Sequence, residues 1–401
     1  MDVKNAFLNG DLKKKVYMKP SSGYSYPSSK VCLLRKALYS LKQAPREWFD
    51  KFSTTICNLS FTCSPHESAL FIRKSECGVI LLLLYVDDRI ITGDAVDGIS
   101  NLKAPLHRIF KMKDLGSLSY FLGLKVISTD DGIYLSQVKY ASDLLARADI
   151  TDSRTEYTPL EPNVCFTPMD DTVLDNPTLY RQLVGGLVYL TVTRPDIAYL
   201  VHVLSQFLSA SRTTHYAAAL RVLCYIKGIL FHGLYFFTHS SLSLQAYSDA
   251  DWAGDPTYRR STTGYCLFFG DSLISWRVKK QMFIARSSTE AKYRAFADTT
   301  SEVVSICWLL EDFGAPQSSP IDVFCDNCSA IQIAHNDVFH EHIKHIEIDC
   351  HFVRQCILTT VVRLIIVETL DQTANIFTKA HHPTRFRTLI SKLKMVFLAP
   401  T

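Results

Sequence analysis

Two adjacent carboxylates, Asp87 and Asp88, follow the apolar run Val79-Ile80-Leu81-Leu82-Leu83-Leu84-Tyr85-Val86 and precede Ile90-Ile91-Thr92-Gly93. This pattern predicts a buried strand, a tight turn and a second strand, with both acids at the turn. Ionised groups within an apolar strand pair are costly unless a counter-charge meets them, and divalent cations bridging to a nucleotide triphosphate supply one. An isolated Asp-Asp fits a solvated turn at least as well. The rest of the chain decides between the two readings.

A chain of 401 residues should make about two or three domains. Its 47% hydrophobic and 20% charged residues allow sizeable cores and argue against disorder. The net charge of +4 and pI near 8.3 are too weakly basic to indicate nucleic acid by themselves. Twelve cysteines without a small-domain framework suggest free thiols in a reducing, intracellular setting. The longest apolar run falls well short of the roughly 20 residues of a membrane span, and no basic-then-apolar leader opens the chain.

The segment Met1 to Phe7 reads as a strand end with no cap before it, so an upstream portion is expected outside this chain. Val31 to Leu59 reads as helix, with Pro45 at a break or first turn, and a second helix covers Ile99 to Phe110. Tyr120 to Val126 and Gly132 to Leu135 read as two strands, followed by a helix from Val138 to Ala148. Four prolines between Thr155 and Pro177 mark a linker. Tyr180–Leu190, Pro195–Phe207 and His215–Ile229 then predict a helical subdomain closed by Gly233. Beyond it, Leu242–Tyr247, Gly264–Phe269 and Leu273–Trp276 suggest an antiparallel meander. A long helix from Ser288 to Phe313, a possibly parallel strand Ile321–Cys325, a helix near His345–Cys356 and a strand Val361–Val367 complete an α/β unit.

Acids stand at element ends in this last unit: Asp249 after its first strand, Glu290 in the first turn of the long helix, and Asp326 after the fourth strand. Carboxylates converging from separate elements can hold two metal ions about 4 Å apart for phosphodiester hydrolysis. Equally, Asp249 and Asp326 could be turn acids and Glu290 a helix-start charge favoured by the dipole.

A longer set of segments carries a resemblance. These are Asp2-Val3-Lys4-Asn5-Ala6-Phe7-Leu8-Asn9-Gly10, Ala37-Leu38-Tyr39-Ser40-Leu41-Lys42-Gln43-Ala44-Pro45-Arg46, Tyr85-Val86-Asp87-Asp88, Met112-Lys113-Asp114-Leu115-Gly116 and Tyr120-Phe121-Leu122-Gly123. Later come Thr193-Arg194-Pro195-Asp196-Ile197-Ala198, Ser248-Asp249-Ala250-Asp251-Trp252-Ala253-Gly254, Ser287-Ser288-Thr289-Glu290-Ala291, Cys325-Asp326-Asn327 and Lys344-His345-Ile346-Glu347-Ile348-Asp349. In this order they resemble the reverse transcriptase and ribonuclease H portion of copia-type retrotransposon polyproteins.

The resemblance implies an α/β protein. Residues 1–155 would be a reverse transcriptase palm, 156–240 a linker and helical thumb or connection, 241–381 a ribonuclease H-like domain with a mixed sheet, and 382–401 a tail. Asp2, Asp87 and Asp88 would bind two Mg²⁺ or Mn²⁺ ions that join a primer to a deoxynucleotide. Phe7, Gln43 and Tyr85 would contact the nucleotide, with Phe7 excluding a 2′ hydroxyl, while Leu122 and Gly123 would grip the primer. Asp249, Glu290 and Asp326 would hold two metal ions and cut the RNA strand of an RNA/DNA hybrid. The implied partners are an RNA template, a DNA primer, that hybrid, deoxynucleotide triphosphates and other retroelement polyprotein parts, with no membrane.

Four departures weaken the implied activity, and with them the alternative is a non-catalytic retroelement relic that at most binds nucleic acid. Family members carry an Ala-Asp pair where this chain has Ala374-Asn375, so the fourth nuclease acid is degenerate and one metal would be held poorly. Arg89 replaces an apolar residue and could neutralise Asp88 or disturb the strand, and Ser40 replaces a glycine. The fingers region that supports template and triphosphate would lie upstream. A zinc site from Cys325, Cys328 and the histidines between His335 and His351 is the weaker alternative, since no second pair has finger spacing. The basic clusters Lys13-Lys14-Lys15, Arg259-Arg260 and Lys279-Lys280 suit phosphate or a solvated face equally.

Overall fold

The computed structural model describes residues 1–398 except 22, 24, 28, 151 and 337–345. It divides into two compact units, the first comprising residues 1–118 with 307–316 and the second 119–306 with 317–401.

The first unit contains β1 (Asp2–Val3), β2 (Asp11–Met18), β3 (Cys32–Lys36), α1 (Ala44–Cys57), β4 (Thr62–Cys63), β5 (Leu70–Ser75), β6 (Gly78–Tyr85), β7 (Asp88–Gly93), α2 (Val96–Phe110) and β8 (Met112–Lys113). Six strands form an antiparallel sheet in the order β4-β5-β6-β7-β1-β8, while β2 and β3 pair separately. Period-two alternation on β6 turns Ile80, Leu82 and Leu84 to the core. Trp48, Phe52 and Ile56, four residues apart on α1, and Leu102, Leu106 and Phe110 on α2 meet them there.

The helix expected over Val31 to Leu59 is therefore a strand followed by a helix. Pro45 stands in the first turn of α1, where its missing N–H costs nothing. The apolar letters at Leu33 and Leu34 misled because β3 belongs to a two-stranded ribbon that leaves them partly exposed.

The second unit begins with β9 (Tyr120–Phe121), β10 (Leu124–Thr129), β11 (Gly132–Ser136) and α3 (Val138–Arg147). There follow α4 (Pro177–Leu190), α5 (Ala198–Ser205), α6 (Thr213–Gly228) and β12 (His232–Phe237). Next come β13 (Leu244–Ala250), β14 (Thr262–Phe269), β15 (Ser272–Lys280), α7 (Ser288–Asp312), β16 (Ile321–Cys325), α8 (Cys328–His335), α9 (Glu347–Leu358) and β17 (Val362–Ile366). The chain ends on α10 (Pro383–Lys392) and β18 (Val396–Phe397).

One sheet runs β18-β12-β11-β10-β9 and the other β15-β14-β13-β16-β17. In the latter, β13, β14 and β15 form the expected meander, and β16 and β17 join it in parallel after helical crossovers. A parallel strand beside β13 places the carboxyl ends of β13 and β16 at the same sheet edge, which positions Asp249 and Asp326.

Three expectations need correction here. Helices α4 to α6 share one core with Cys266 and Phe268 of β14 and Leu273 of β15, so they are not a separate subdomain, and no contact boundary falls at 155 or 240. Gly233 does not close the helices but lies inside β12, where a Cβ would collide with the carbonyl of Leu135 and the ring of Tyr134. The expected tail folds back, with Phe386, Leu389 and Leu393 buried in the core and β18 paired to β12. Lys344 and His345, on which part of the resemblance rested, and His340 and His342 of the zinc alternative lie outside the described residues. No described helix is long and apolar enough to cross a membrane.

Candidate active-site corners

In the first unit, Asp2 stands directly opposite Asp88 in the β1–β7 register, and Asp87 lies in the turn between β6 and β7. Directly paired residues of antiparallel strands hold their Cβ atoms about 5 Å apart, and like charges so placed repel. The backbone locks the corner: Val3 N–H donates to the Asp87 carbonyl at 2.9 Å, and Arg89 N–H to that of Met1 at 2.8 Å. Asp87 Oδ1 accepts from Ala6 N–H and from the Tyr39 hydroxyl, both at 3.1 Å. Burial, then the Asp87 bond, raises the Tyr39 pKa. No described Lys or Arg forms an ion pair with Asp2, Asp87 or Asp88.

The turn itself is strained. Val86 has φ +45°, a region β-branched residues avoid. Its carbonyl accepts from Trp48 Nε1 and from Arg89 Nη2, each at 3.1 Å, and Arg89 Nη1 donates to the Asp87 carbonyl at 2.5 Å. The guanidinium is buried over the rings of Trp48 and Phe52, at 5.0 and 5.1 Å, and burial lowers its pKa to about 10. Arg89 thus neither disrupts the strand nor pairs with the Asp88 carboxylate; it braces the turn from the core side.

Around this corner, the Phe7 ring lies 4.6 Å from that of Tyr39. Gln43 is the N-cap of α1 but its side chain makes no capping bond. Tyr85 is exposed at the end of β6. Leu122 and Gly123 are in the second unit, where both have positive φ in the two-residue turn between β9 and β10. Tyr189 donates its hydroxyl to the Leu122 carbonyl and fills the space a Cβ on Gly123 would need, so this turn requires glycine.

The second corner is built differently. Lys292 Nζ sits between two acids, 2.9 Å from Asp249 Oδ1 and in contact with Asp326 Oδ1. The remaining oxygens are also engaged: the Thr378 hydroxyl donates to Asp249 Oδ2 at 2.6 Å and the Thr369 hydroxyl to Asp326 Oδ2 at 3.1 Å. Burial raises the Asp249 pKa, but Lys292 and Thr378 outweigh it and leave the carboxyl below its ordinary range. Burial likewise disfavours charge on Lys292, and the two acids more than reverse this, raising its pKa.

Glu290 is engaged at the start of α7. Lys292, two residues on, faces Asp249 and Asp326. Glu290 serves as a cap: its Oε2 accepts from Arg286 N–H at 2.7 Å, its Oε1 from Arg294 at 3.0 Å, and its N–H donates to Ser287 Oγ at 3.1 Å. The Ser287-x-x-Glu290 spacing was the signal for this role. Asn375 is buried; its Nδ2 donates to the Thr369 carbonyl at 2.9 Å while Oδ1 has no hydrogen-bond partner. The nearby Asp251 carboxyl is pushed up to about 7 by burial, and its Oδ1 accepts from Thr262 N–H.

Sequence reasoning therefore missed Tyr39, Thr378, Thr369 and Lys292. Only Tyr39 lay within a quoted segment, and a lysine two residues from an expected acid gave no warning. No three described His, Cys, Asp or Glu side chains converge as a ready metal cluster. Asp2 and Asp88 oppose each other without an ion-paired side chain, with the Arg89 guanidinium and the Met1 ammonium acting on them at longer range, whereas the second corner has a cation built in between its acids.

A family model described as reverse transcriptase (RNA-dependent DNA polymerase) matches residues 1–162. The chain is 40% identical over its full length to the retrovirus-related Pol polyprotein from transposon RE1 of Arabidopsis thaliana, of which it spans 28%. It is 31% identical over 308 residues to the putative transposon Ty5-1 protein of Saccharomyces cerevisiae, covering 76% of this chain and 100% of that protein. A crystal structure of LC11-RNase H1 in complex with RNA/DNA hybrid overlays 34% of this chain and 94% of that one at 8% identity, with a TM-score of 0.26, too low to carry a residue correspondence.

Proposed function

Because this chain belongs to the copia-type retrotransposon polyproteins, we propose that its first corner performs RNA-directed DNA synthesis by phosphoryl transfer. The observation that carries this reading is the register pairing of Asp2 with Asp88 beside a turn that presents Asp87. Asp2, Asp87 and Asp88 are the residues that would hold Mg²⁺ or Mn²⁺, which when bound would activate the primer hydroxyl and stabilise the leaving phosphate oxygen.

The chain's own residues do the positioning. Tyr39 fixes one Asp87 oxygen, Arg89 and Trp48 hold the strained Val86 carbonyl, and the Phe7 ring, tilted against that of Tyr39, would offer an apolar face beneath a nucleotide sugar. By the family resemblance Gln43 and Tyr85 would contact the nucleotide; in the second unit, the Leu122-Gly123 turn, which admits only glycine at Gly123, would contact the primer. RNA template, DNA primer and deoxynucleotide triphosphates are the substrates and partners this reading takes.

For the second corner we propose a ribonuclease H-derived unit that retains hybrid binding with impaired cleavage. Lys292 between the acids and the neutral Asn375 favour this non-catalytic reading for that half. Primer extension on an RNA template with Mg²⁺ or Mn²⁺ tests the polymerase reading, with Asp87→Asn as the control. Extension that the substitution leaves unchanged would remove it.

A further inference from the structure

We propose that the Lys292 ammonium takes the place of a divalent cation between Asp249 and Asp326, making the second corner a closed, metal-free ion-pair cluster and not a hydrolytic centre. The inference rests on the family reading only for the expectation that a metal would belong there; the geometry is independent of it.

Four features of the corner lead to this. The side chain of Lys292 is 15% exposed and those of Asp249 and Asp326 are 1% and 5% exposed, so the three charges meet away from bulk water. All four carboxylate oxygens already have a donor or cation from the chain, Lys292 on one oxygen of each and Thr378 and Thr369 on the others. Mg²⁺ demands near-octahedral oxygen coordination at about 2.1 Å, and to enter it would have to expel an ammonium tethered to α7. Among the described residues no third His, Cys, Asp or Glu completes a metal cluster with this pair: the Glu290 oxygens accept from Arg286 N–H and Arg294, and Asn375 is uncharged.

The cluster also has a structural task. Asp249 ends β13 and Asp326 follows the parallel β16, so Lys292 ties α7 to the edge where two strand ends come together. Small side chains let the helix approach: Ala291 and Ala295 of α7 pack against Ala250 and Ala285. An isolated carboxylate pair would repel at this depth, and the internal cation removes the need for an external one.

Mn²⁺ binding to the full chain, read from loss of the free-ion electron paramagnetic resonance signal, tests the assignment without any activity measurement. In the D87N/D88N background, which silences the first corner, we expect no Mn²⁺ uptake. Adding K292E to that background should gain about one Mn²⁺ per chain, and D249N should abolish the gain. Uptake by the D87N/D88N chain with Lys292 intact, removed by D249N, would overturn the proposal, as would a folded K292E chain that takes up none. Because the first of these arms leaves Lys292 in place, the test survives if K292E does not fold. Failure of the polymerase reading looks different: the wild-type chain would neither bind Mn²⁺ nor extend a primer, leaving the Lys292 comparison untouched.

Discussion

The two acidic corners handle the same problem in opposite ways. In the first, Asp2 and Asp88 face each other across a strand pair with no basic side chain paired to them, and the nearest guanidinium is spent on backbone carbonyls. In the second, Asp249 and Asp326 share one lysine and two threonine hydroxyls. On the proposed reading, an acidic pair with no ion-paired side chain leaves room for a cation from outside, whereas a pair with an internal cation is already matched within the fold. Acid count alone does not separate a site from a structural cluster; the partner of each oxygen does.

The largest expected difference is in activity. Asp87→Asn or Asp88→Asn should lower primer extension by about 10³-fold, because a metal-binding carboxylate contributes several kcal/mol to phosphoryl transfer. Asp249→Asn should leave extension within about two-fold of wild type. Equal losses from both corners in a steady-state extension assay would erase the distinction drawn here.

Stability should respond with opposite sign. Lys292→Ala leaves two buried carboxylates without a counter-charge and should cost about 3–5 kcal/mol in urea unfolding. Asp88→Asn relieves a like-charge pair and should be neutral or stabilising by up to about 1 kcal/mol. The pH dependence follows from the depressed Asp249 pKa. A carboxyl whose folded pKa lies below its unfolded value adds stability above the unfolded value and loses it as pH falls through the folded one. Asp249 therefore supports the fold at neutral pH and stops doing so in acid, below its ordinary pKa of 3.8. Lys292→Ala should shift the acid-unfolding midpoint upward; an unchanged midpoint would mean that Lys292 is not what holds Asp249 ionised.

Much of this contrast was legible in the residues, but unevenly. The β6–β7 hairpin could be read because a continuous apolar run broken by two acids is a local signal, and that same signal carried Asp87 and Asp88 to the hairpin's end. That Asp2 would pair with Asp88 followed only from the resemblance, since two residues of strand leave no periodicity to read. Glu290 was ambiguous because its type and position in the first helical turn suit a metal ligand and a cap equally, and its bonds to Arg286 N–H and Arg294 could not be read from the residues. Lys292 was invisible because which side of α7 turns toward β13 depends on Ala250 and Ala285, residues far away in the chain. The helix expected from Val31 failed because exposure of an edge ribbon leaves apolar residues without the burial that would fix their period.

The smallest expected effects compare the hydroxyls that touch an acid in each corner. Tyr39 is 48% exposed, so after Tyr39→Phe water can replace its hydroxyl on Asp87, and the fold should lose no more than about 1 kcal/mol. Extension should fall only a few-fold, since Ala6 N–H still holds the same oxygen. Thr378 is fully buried, and no water can follow its removal. Thr378→Val, close in shape, leaves Asp249 Oδ2 without its donor and should cost about 1–3 kcal/mol. Chemical unfolding of both variants reads the difference directly. If Tyr39→Phe proved the more costly of the two, the first corner would be the one held closed by its own side chains, and the roles assigned to the two acidic pairs would have to be exchanged.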